Sequence, residues 1–550
     1  MNEDIRHQPV LRHSRRPGAG ELALCFVAAF LLTIALQWRG NAYRCEWTSS
    51  PDEPAHYVTG LLARDYLVQG LGRNPYEFAQ RYYRHYPKVA LGHWPPAYYA
   101  LQAAWTIPFG VSRTSLLLMQ AVIGALLLTA AYALLAAYFP AWLAWAVVML
   151  AAAVPDFQQF SRAIMAEPLV ALLSLCSLLA LARYFAEPRW QTASWFGLLA
   201  SATLLTKATG IALAPVPLLT VLLLRRWEFL KRFSFWLLAF LVLALCGPWY
   251  AVVPGALHER VAYLGGSAFP LPRLAQTFGY WAGALGLPAL CLAAIGLTRT
   301  AARLIAKTET NPIWPVSALF LASTIGFRMT VGAWESRHLL STIPMLALLA
   351  CSGLAWILKT GFSNRLLGTA AALVLVGVTF VHNTSQVRPK VHLGLDAVAQ
   401  GLAANRDYAS SPLLIVSDSV GEGVFIAEVA ARERRPGHVI ERGYRLLAQT
   451  SFMGNNYSLP YADPFSMMRF LEAQPDRIIV LDSPAAPPPH VELVRETLAK
   501  YDLRWQLLGS YPRDGLPPSS SAGMAIKVYR LRAAVTSSPP IANSESVILR

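Results

Sequence analysis

Ser50-Pro51-Asp52-Glu53-Pro54-Ala55-His56-Tyr57 follows the first long apolar run of the chain, residues 21–38. Two adjacent carboxylates beside a membrane-spanning segment are costly in free energy, and such groups usually have a function. A structural explanation stays open, because Asp52 can cap a helix and a proline is well tolerated in the first helical turn. The stretch therefore predicts a helix that begins at the membrane surface and carries Asp52 and Glu53.

The composition is that of a membrane protein. Hydrophobic residues make up 55% of the 550 residues and charged residues only 14%, and long uncharged runs recur. We assign the net charge of +16 to loops that fix orientation or face anionic lipid. No basic patch interleaved with aromatic residues lies in a soluble domain, so nucleic acid is not an expected partner. The six cysteines show neither a disulfide framework nor a metal-ligand spacing.

The apolar runs predict a polytopic α-helical protein with about 11 spans. The basic residues 1–20 are placed in the cytoplasm, which makes residues 39–112 a long external loop in which 95–109 lies along the interface. The ten spans after the first are predicted at about 114–137, 140–155, 166–185, 192–206, 209–224, 234–253, 275–297, 313–330, 338–358 and 364–382. The lysines and arginines of the short predicted loops favour this orientation, because they collect on the cytoplasmic side.

The composition changes from residue 383 onwards. Short apolar runs at 413–418, 477–482, 505–510 and 525–531 alternate with helical stretches, which predicts an α/β domain over 383–532 on the external side. Residues 418–423 contain glycines in a partial phosphate-loop pattern, but a plain strand–helix turn is the better interpretation. Residues 533–550 are predicted to be a disordered tail.

Three further stretches place ionisable side chains on the predicted outer face. Residues 160–169 contain Arg162 and Glu167, where Glu167 suits the positive end of a helix dipole and Arg162 can pair with it or bind phosphate. Lys207 lies in a turn without a neighbouring acid in the sequence, so we favour a phosphate ligand over a snorkelling lysine. Arg337, followed by His338, can bind phosphate in a bidentate manner or pair with Glu335.

Histidines on the outer side raise the question of a metal. His56 and His93 are among them, and with Asp52 and Glu53 they could form a site, since Asp52 and His56 share a helix face. No dense ligand motif occurs. We therefore predict no required cofactor and no metal ligand, and a divalent metal stays an open alternative.

Taken in order, these motifs resemble the GT-C superfamily of polyprenyl-phosphate-sugar-dependent glycosyltransferases, in its bacterial protein-mannosyltransferase and aminoarabinose-transferase branch (families 39 and 83). The resemblance covers about residues 20–380. It rests on residues 51–57, His93-Trp94-Pro95-Pro96-Ala97-Tyr98-Tyr99, 162–167, Leu205-Thr206-Lys207-Ala208-Thr209-Gly210 and Arg337-His338.

The resemblance implies an inverting enzyme of the bacterial plasma membrane that transfers a sugar from a polyprenyl-phosphate donor to an extracytoplasmic lipid, glycan or protein. Asp52 would be the general base on the acceptor hydroxyl, supported by Glu53. Glu167 stands where related enzymes usually have an aspartate, and Lys207 and Arg337 match positions that hold the lipid phosphate. The further candidates for substrate binding are Arg162, His338, His56 and His93.

A transporter or flippase is the alternative from another class, and an assembly scaffold is a third. Transporters usually carry polar groups in broken helices near mid-membrane and often have internal repeats. Here the charges gather at one face and no repeat is visible, which favours the enzyme. The enzyme hypothesis predicts that Asp52, Lys207 and Arg337 border one externally open cavity.

Overall fold

The computed structural model describes residues 16–253, 271–330, 335–360, 365–449, 456–513 and 525–532. The basic residues 1–15 and the predicted tail 533–550 lie outside these ranges. The chain divides into two compact units, one of Met1–Tyr83 and Lys88–His392 and the other of Arg84–Pro87 and Leu393–Arg550. The sequence had placed this boundary at 383.

The first unit is helical. Among the described residues of this unit, three short 3₁₀ helices (Ala208–Leu213, Trp227–Lys231 and Ser336–Thr342) and a π-helical turn (Tyr66–Gly70) accompany the longer helices. The α-helices are α1 (Ala19–Arg39), α2 (Asp52–Asp65), α3 (Pro75–His85), α4 (Ala97–Phe109), α5 (Arg113–Ala136), α6 (Ala141–Ala153), α7 (Pro155–Ser161), α8 (Glu167–Ala186), α9 (Trp190–Thr206), α10 (Val216–Leu224), α11 (Phe233–Val252), α12 (Leu271–Leu285), α13 (Leu287–Ile305), α14 (Ile313–Thr330), α15 (Ile343–Thr360) and α16 (Arg365–Gln386).

The prediction of a polytopic α-helical membrane protein is confirmed. Within the described ranges, seven helices are long and apolar enough to cross a membrane, and the bent pair α6–α7, with an angle of 67°, makes an eighth if it counts as one span. The predicted span 275–297 is instead two helices, α12 and α13, separated at Gly286 with a φ of 83°. Helix α4 has 13 residues, which is too short to cross the hydrocarbon core.

Close backbone packing joins α13 and α15. A Cβ atom added to Gly296 would lie 2.0 Å from the carbonyl oxygen of Leu349, and one added to Gly353 would lie 2.1 Å from that of Leu292. Small residues at such crossings allow helices to approach in a membrane, where apolar burial gives no driving force between helices. These glycines therefore explain how two apolar helices pack at this point.

The second unit contains a five-stranded sheet in the order β2-β1-β3-β5-β4. The strands are β1 (Leu413–Val416), β2 (Ile440–Arg442), β3 (Ile478–Leu481), β4 (Trp505–Pro512) and β5 (Ala525–Leu531), and the helices are α17 (Leu395–Ala404), α18 (Ser419–Arg432), α19 (Gly443–Leu446), α20 (Pro464–Glu472) and α21 (Pro489–Lys500). Strands β1, β2 and β3 are parallel, whereas β5 pairs antiparallel with β3 and β4. The four predicted strands are confirmed.

The glycine-containing turn after β1 is a helix cap. The side chain of Asp418 accepts hydrogen bonds from the backbone N–H groups of Val420 (2.9 Å) and Gly421 (2.7 Å) at the start of α18. The strand–helix turn favoured from the sequence is therefore observed.

Candidate active site

The first turn of α2 positions Asp52. Pro51 takes the N-cap position and Asp52 is the first helical residue, so Asp52 does not have the capping role that the sequence left open. Its carboxylate instead accepts a hydrogen bond from Arg337, with 2.9 Å between Oδ2 and Nη2. Since side chains four residues apart share a helix face, His56 lies on the same side of α2.

Helix ends also position the other charged side chains. Glu167 begins α8 and is 3% exposed, and a carboxylate is stabilised at the positive end of a helix dipole. Lys207 follows the last residue of α9, where a cation is stabilised by the negative end. Arg337 lies in the 3₁₀ helix that precedes α15.

Four chain segments that are distant in sequence meet through these side chains. Lys207 Nζ lies 2.5 Å from Glu167 Oε1, and Arg337 Nε lies 3.5 Å from the same oxygen. Arg337 also pairs with Asp52, so one guanidinium bridges two carboxylates. We call Asp52, Glu167, Lys207 and Arg337 the charge cluster. The expectation that Lys207 has no acid nearby is corrected, because the fold brings Glu167 to it.

Arg337 and His338 have different surroundings. Arg337 Nη2 lies 2.9 Å from Glu335 Oε1, so the pairing with Glu335 considered from the sequence exists beside the pairing with Asp52. His338 Nδ1 accepts a hydrogen bond of 3.2 Å from the backbone N–H of Glu335. His338 thereby stabilises the turn that carries Arg337.

The electrostatics keep Asp52 ionised and His56 neutral. Burial alone raises the pKa of Asp52, but the charge of Arg337 and its hydrogen bond bring the pKa below its ordinary value. Burial lowers the pKa of His56 to about 4, against a smaller opposing effect of Asp52. At neutral pH the site therefore presents a carboxylate and an uncharged imidazole on one face of α2.

Aromatic rings from the motif 93–99, which leads into α4, pack against His56. The imidazole stacks on Trp94, with 4.0 Å between ring centroids, and its Nδ1 lies 2.8 Å from the hydroxyl of Tyr99. His93 contacts the same Trp94 edge-on at 5.0 Å. The motif 93–99 therefore supplies a wall beside the charge cluster.

Glu53 points away from the charge cluster. It is fully buried, and its carboxylate accepts hydrogen bonds from Lys390 Nζ at 2.9 Å and 3.0 Å. Glu53 was expected to support Asp52, but the hydrogen bonds of its carboxylate go to Lys390, Ser49 and Ile164. No sequence pattern pointed to Lys390, because a lysine just beyond a span resembles an ordinary membrane anchor.

Arg162 also lies apart from Glu167. Its side chain packs against Gly40, where an added Cβ would lie 2.7 Å from Arg162 Cδ. Its Nε and Nη1 atoms are buried and have no hydrogen-bond partner among the described residues. The pairing of Arg162 with Glu167, considered from the sequence, is therefore not observed.

The possible metal ligands of the first external helix do not converge. Within the described ranges, Asp52, Glu53 and His56 do not bring three ligand atoms within 4.8 Å of one another. A compact group of donors is what a divalent ion needs.

The arrangement of the helices matches solved structures. The crystal structure of ArnT from Cupriavidus metallidurans bound to undecaprenyl phosphate superposes with a TM-score of 0.60 and 15% identity, over 93% of this chain and 98% of that one. The apo structure of the same protein gives a TM-score of 0.59 at 15% identity, over 92% and 98% of the two chains. The chain therefore has a fold similar to that of ArnT.

A further solved structure and a family model also match the chain. Archaeal oligosaccharyltransferase AglB from Archaeoglobus fulgidus, in complex with an inhibitory peptide and a dolichol-phosphate, gives a TM-score of 0.52 at 14% identity, over 84% of this chain and 69% of that one. Residues 93–251 match the family model described as dolichyl-phosphate-mannose-protein mannosyltransferase. No curated protein matches the chain in sequence. The segment matched by the family model contains Glu167 and Lys207.

Proposed function

We propose that the protein transfers a sugar from a polyprenyl-phosphate donor to a hydroxyl group of an acceptor on the outer side of the plasma membrane. The observation that carries the proposal is the bridge made by Arg337 between Asp52 and Glu167, with Lys207 on the second carboxylate. The carboxylate of Asp52, which we propose as the base, lies beside Arg337, and Lys207 belongs to the same charge cluster. These are the groups that displacement of a phosphate-linked sugar requires.

Lys207 and Arg337 are proposed to hold the phosphate of the donor. When the bond between the sugar carbon and the phosphate oxygen breaks, the electron pair stays on that oxygen and its negative charge grows. Cations fixed before the reaction stabilise such a charge without reorganising. Glu167 holds both cations in place, because it pairs with each of them.

Asp52 is proposed to be the general base. The acceptor oxygen attacks the sugar carbon, the acceptor proton passes to Oδ1 or Oδ2 of Asp52, and polyprenyl phosphate leaves from the opposite face. One displacement of this kind inverts the configuration at the sugar carbon. The side chain of Asp52 is 32% exposed, so an acceptor hydroxyl can reach it.

The aromatic wall is proposed to position the acceptor and the sugar. His56 is neutral and therefore does not compete with Lys207 and Arg337 for the phosphate. Its ring is held by Trp94 and Tyr99, which presents it next to Asp52 in one orientation. His93 and Arg162 remain candidates for contacts with parts of the substrates further from the reacting bond.

A transfer assay tests this proposal. The purified protein in lipid nanodiscs is given undecaprenyl-phosphate sugars one at a time, with envelope lipids and glycans as acceptors. We expect one donor to release undecaprenyl phosphate only when an acceptor fraction is present, and mass spectrometry to find that acceptor heavier by one sugar residue. The same protein is also reconstituted into sealed vesicles, where movement of the intact donor across the bilayer without any release would instead support the flippase alternative.

The rate of transfer should depend little on acidity between about pH 8 and pH 5, because the base is already ionised over that window. The pKa of Asp52 lies below its ordinary 3.8 and that of His56 is about 4, so neither group titrates there. As the pH falls through the lowered pKa of Asp52, the carboxylate takes a proton and transfer is lost. The measurement is kcat/KM against pH. An acid limb centred near the ordinary histidine value of about 6.5 would contradict the assignment.

A further inference from the structure

A buried ion pair between Glu53 and Lys390 adjoins the charge cluster, because Glu53 follows Asp52 in α2. The side chains of Glu53 and Lys390 are 0% and 2% exposed, and the ammonium group of Lys390 donates to both carboxylate oxygens. Glu53 adjoins Asp52 in α2, but neighbouring residues of a helix do not face each other. One face of this helical turn therefore carries Asp52, the candidate base, and another carries the buried carboxylate of Glu53.

The Glu53 carboxylate joins two segments that carry the charge cluster. Its Oε2 accepts a hydrogen bond of 2.8 Å from the backbone N–H of Ser49, in the loop that leads into α2. Its Oε1 accepts one of 3.2 Å from the backbone N–H of Ile164, in the turn that leads into Glu167 and α8. A single carboxylate thus ties the chain before Asp52 to the chain before Glu167.

The segment 387–392, which follows α16, is itself fixed against the loop that precedes α2, and this holds Lys390 next to Glu53. The backbone N–H of Lys390 donates to the carbonyl oxygen of Gly40 at 2.9 Å, and its carbonyl oxygen accepts from the thiol of Cys45 at 3.3 Å. The hydroxyl of Thr48 donates to the carbonyl oxygen of Val391 at 3.0 Å. Lys390 is therefore fixed at both its backbone and its side chain against the loop that precedes α2.

We infer that Lys390 is a positioning residue that sets the separation of Asp52 from Glu167 and Arg337, by holding Glu53 as a charged acceptor for both segments. The inference rests on the proposed function for its kinetic consequence. Without Lys390, Glu53 is a buried carboxylate with no cation paired to it. Burying such a charge without a partner is costly, so the carboxylate turns towards water and loses its hydrogen bonds to Ser49 and Ile164. The turn before Glu167 and the start of α2 then lose their shared anchor.

The test compares Lys390→Met, which keeps the apolar stem, with Lys390→Arg, which keeps the charge. A displacement of reacting groups by about 1 Å can lower a rate 10²-fold. We therefore expect kcat of sugar transfer to fall roughly 10- to 100-fold in the methionine variant, with little change in the KM for the lipid donor. We expect the arginine variant to recover most of the rate.

A matched control separates positioning from loss of stability. Arg442 and Glu422 form another ion pair with a fully buried carboxylate, at 2.8 Å in the second unit. Arg442→Met should lower the melting temperature of the protein and leave kcat of the folded fraction unchanged. Unchanged kcat in Lys390→Met, or an equal kcat loss in both variants, would overturn the inference. If Lys390→Met does not fold, the double variant Glu53→Gln with Lys390→Met leaves no buried charge unpaired and takes its place under the same criteria.

A structural measurement keeps the inference separate from the proposed function. If the wild-type protein transfers no sugar from any donor, the proposed function fails, and the geometry can still be compared by cryo-electron microscopy. An Asp52–Arg337 separation that lengthens from 2.9 Å in the methionine or double variant supports positioning by Lys390. An unchanged separation overturns it.

Discussion

Replacing Asp52 with Asn should lower the rate of sugar transfer by about 10²- to 10⁴-fold, the usual contribution of a general base. Asparagine has the same size and still accepts a hydrogen bond from Arg337, but its amide cannot take the acceptor proton at neutral pH. The loss should fall on kcat, with the KM for the donor lipid almost unchanged, because Lys207 and Arg337 stay in place. The measurement is release of undecaprenyl phosphate under initial-rate conditions.

Glu335→Gln is the matched control for this variant. Like Asp52, Glu335 lies 2.9 Å from the Nη2 atom of Arg337. The side chain of Glu335 is 60% exposed, whereas that of Glu167, which also pairs with Arg337, is 3% exposed. An exposed pair contributes about 0–1 kcal/mol, so we expect a change in rate of only a few fold. If Asp52→Asn keeps a rate within about threefold of the wild type, far below the 10²-fold expected for a lost base, then Asp52 is not the base.

Sequence patterns identified the charged residues of the site but not all of their partners. Asp52, Glu167, Lys207 and Arg337 were recognisable because they border apolar runs on the predicted outer face, where the short turns hold few charged residues and an ionisable group indicates a function. The pairing of Lys207 with Glu167 was not recognisable, since it depends on how α8 and α9 pack. The family resemblance implied that Glu53 supports Asp52, but successive helical residues point about 100° apart, as 3.6 residues complete one turn.

The fold shows the same limit at other positions. The apolar run 275–297 predicted one helix because hydropathy averages over Gly286, whereas the chain turns there into two helices. The Gly-Leu-Pro sequence at 286–288 was the available signal, since glycine and proline mark breaks. Strand β2 has only three residues, Ile440–Arg442, and two of them are charged. Its pairing with β1 supplies the stability that its own sequence pattern does not indicate.

Replacing Arg337 with Gln should lower kcat/KM by about 10²- to 10³-fold, the usual effect of removing one preorganised group that stabilises transition-state charge. Two effects add. The phosphate loses a cation as its negative charge grows, and Asp52 and Glu167 lose the guanidinium that lies between them. Lysine is expected to restore only part of the rate, because its single ammonium group cannot reproduce the planar fork that contacts both carboxylates.

The pH profile of Arg337→Gln distinguishes this role from a general loss of stability. Arg337 is the main influence that lowers the pKa of Asp52 against the effect of burial. Without it burial dominates, the pKa of Asp52 rises, and the acid limb of the rate profile moves to higher pH. Arg189→Gln removes an arginine that is 70% exposed and 3.7 Å from Glu187, and should leave both rate and profile unchanged. A rate loss in Arg337→Gln without any displacement of the acid limb would mean that Arg337 does not control the ionisation of Asp52. The charge cluster would then hold the phosphate without lowering the pKa of Asp52.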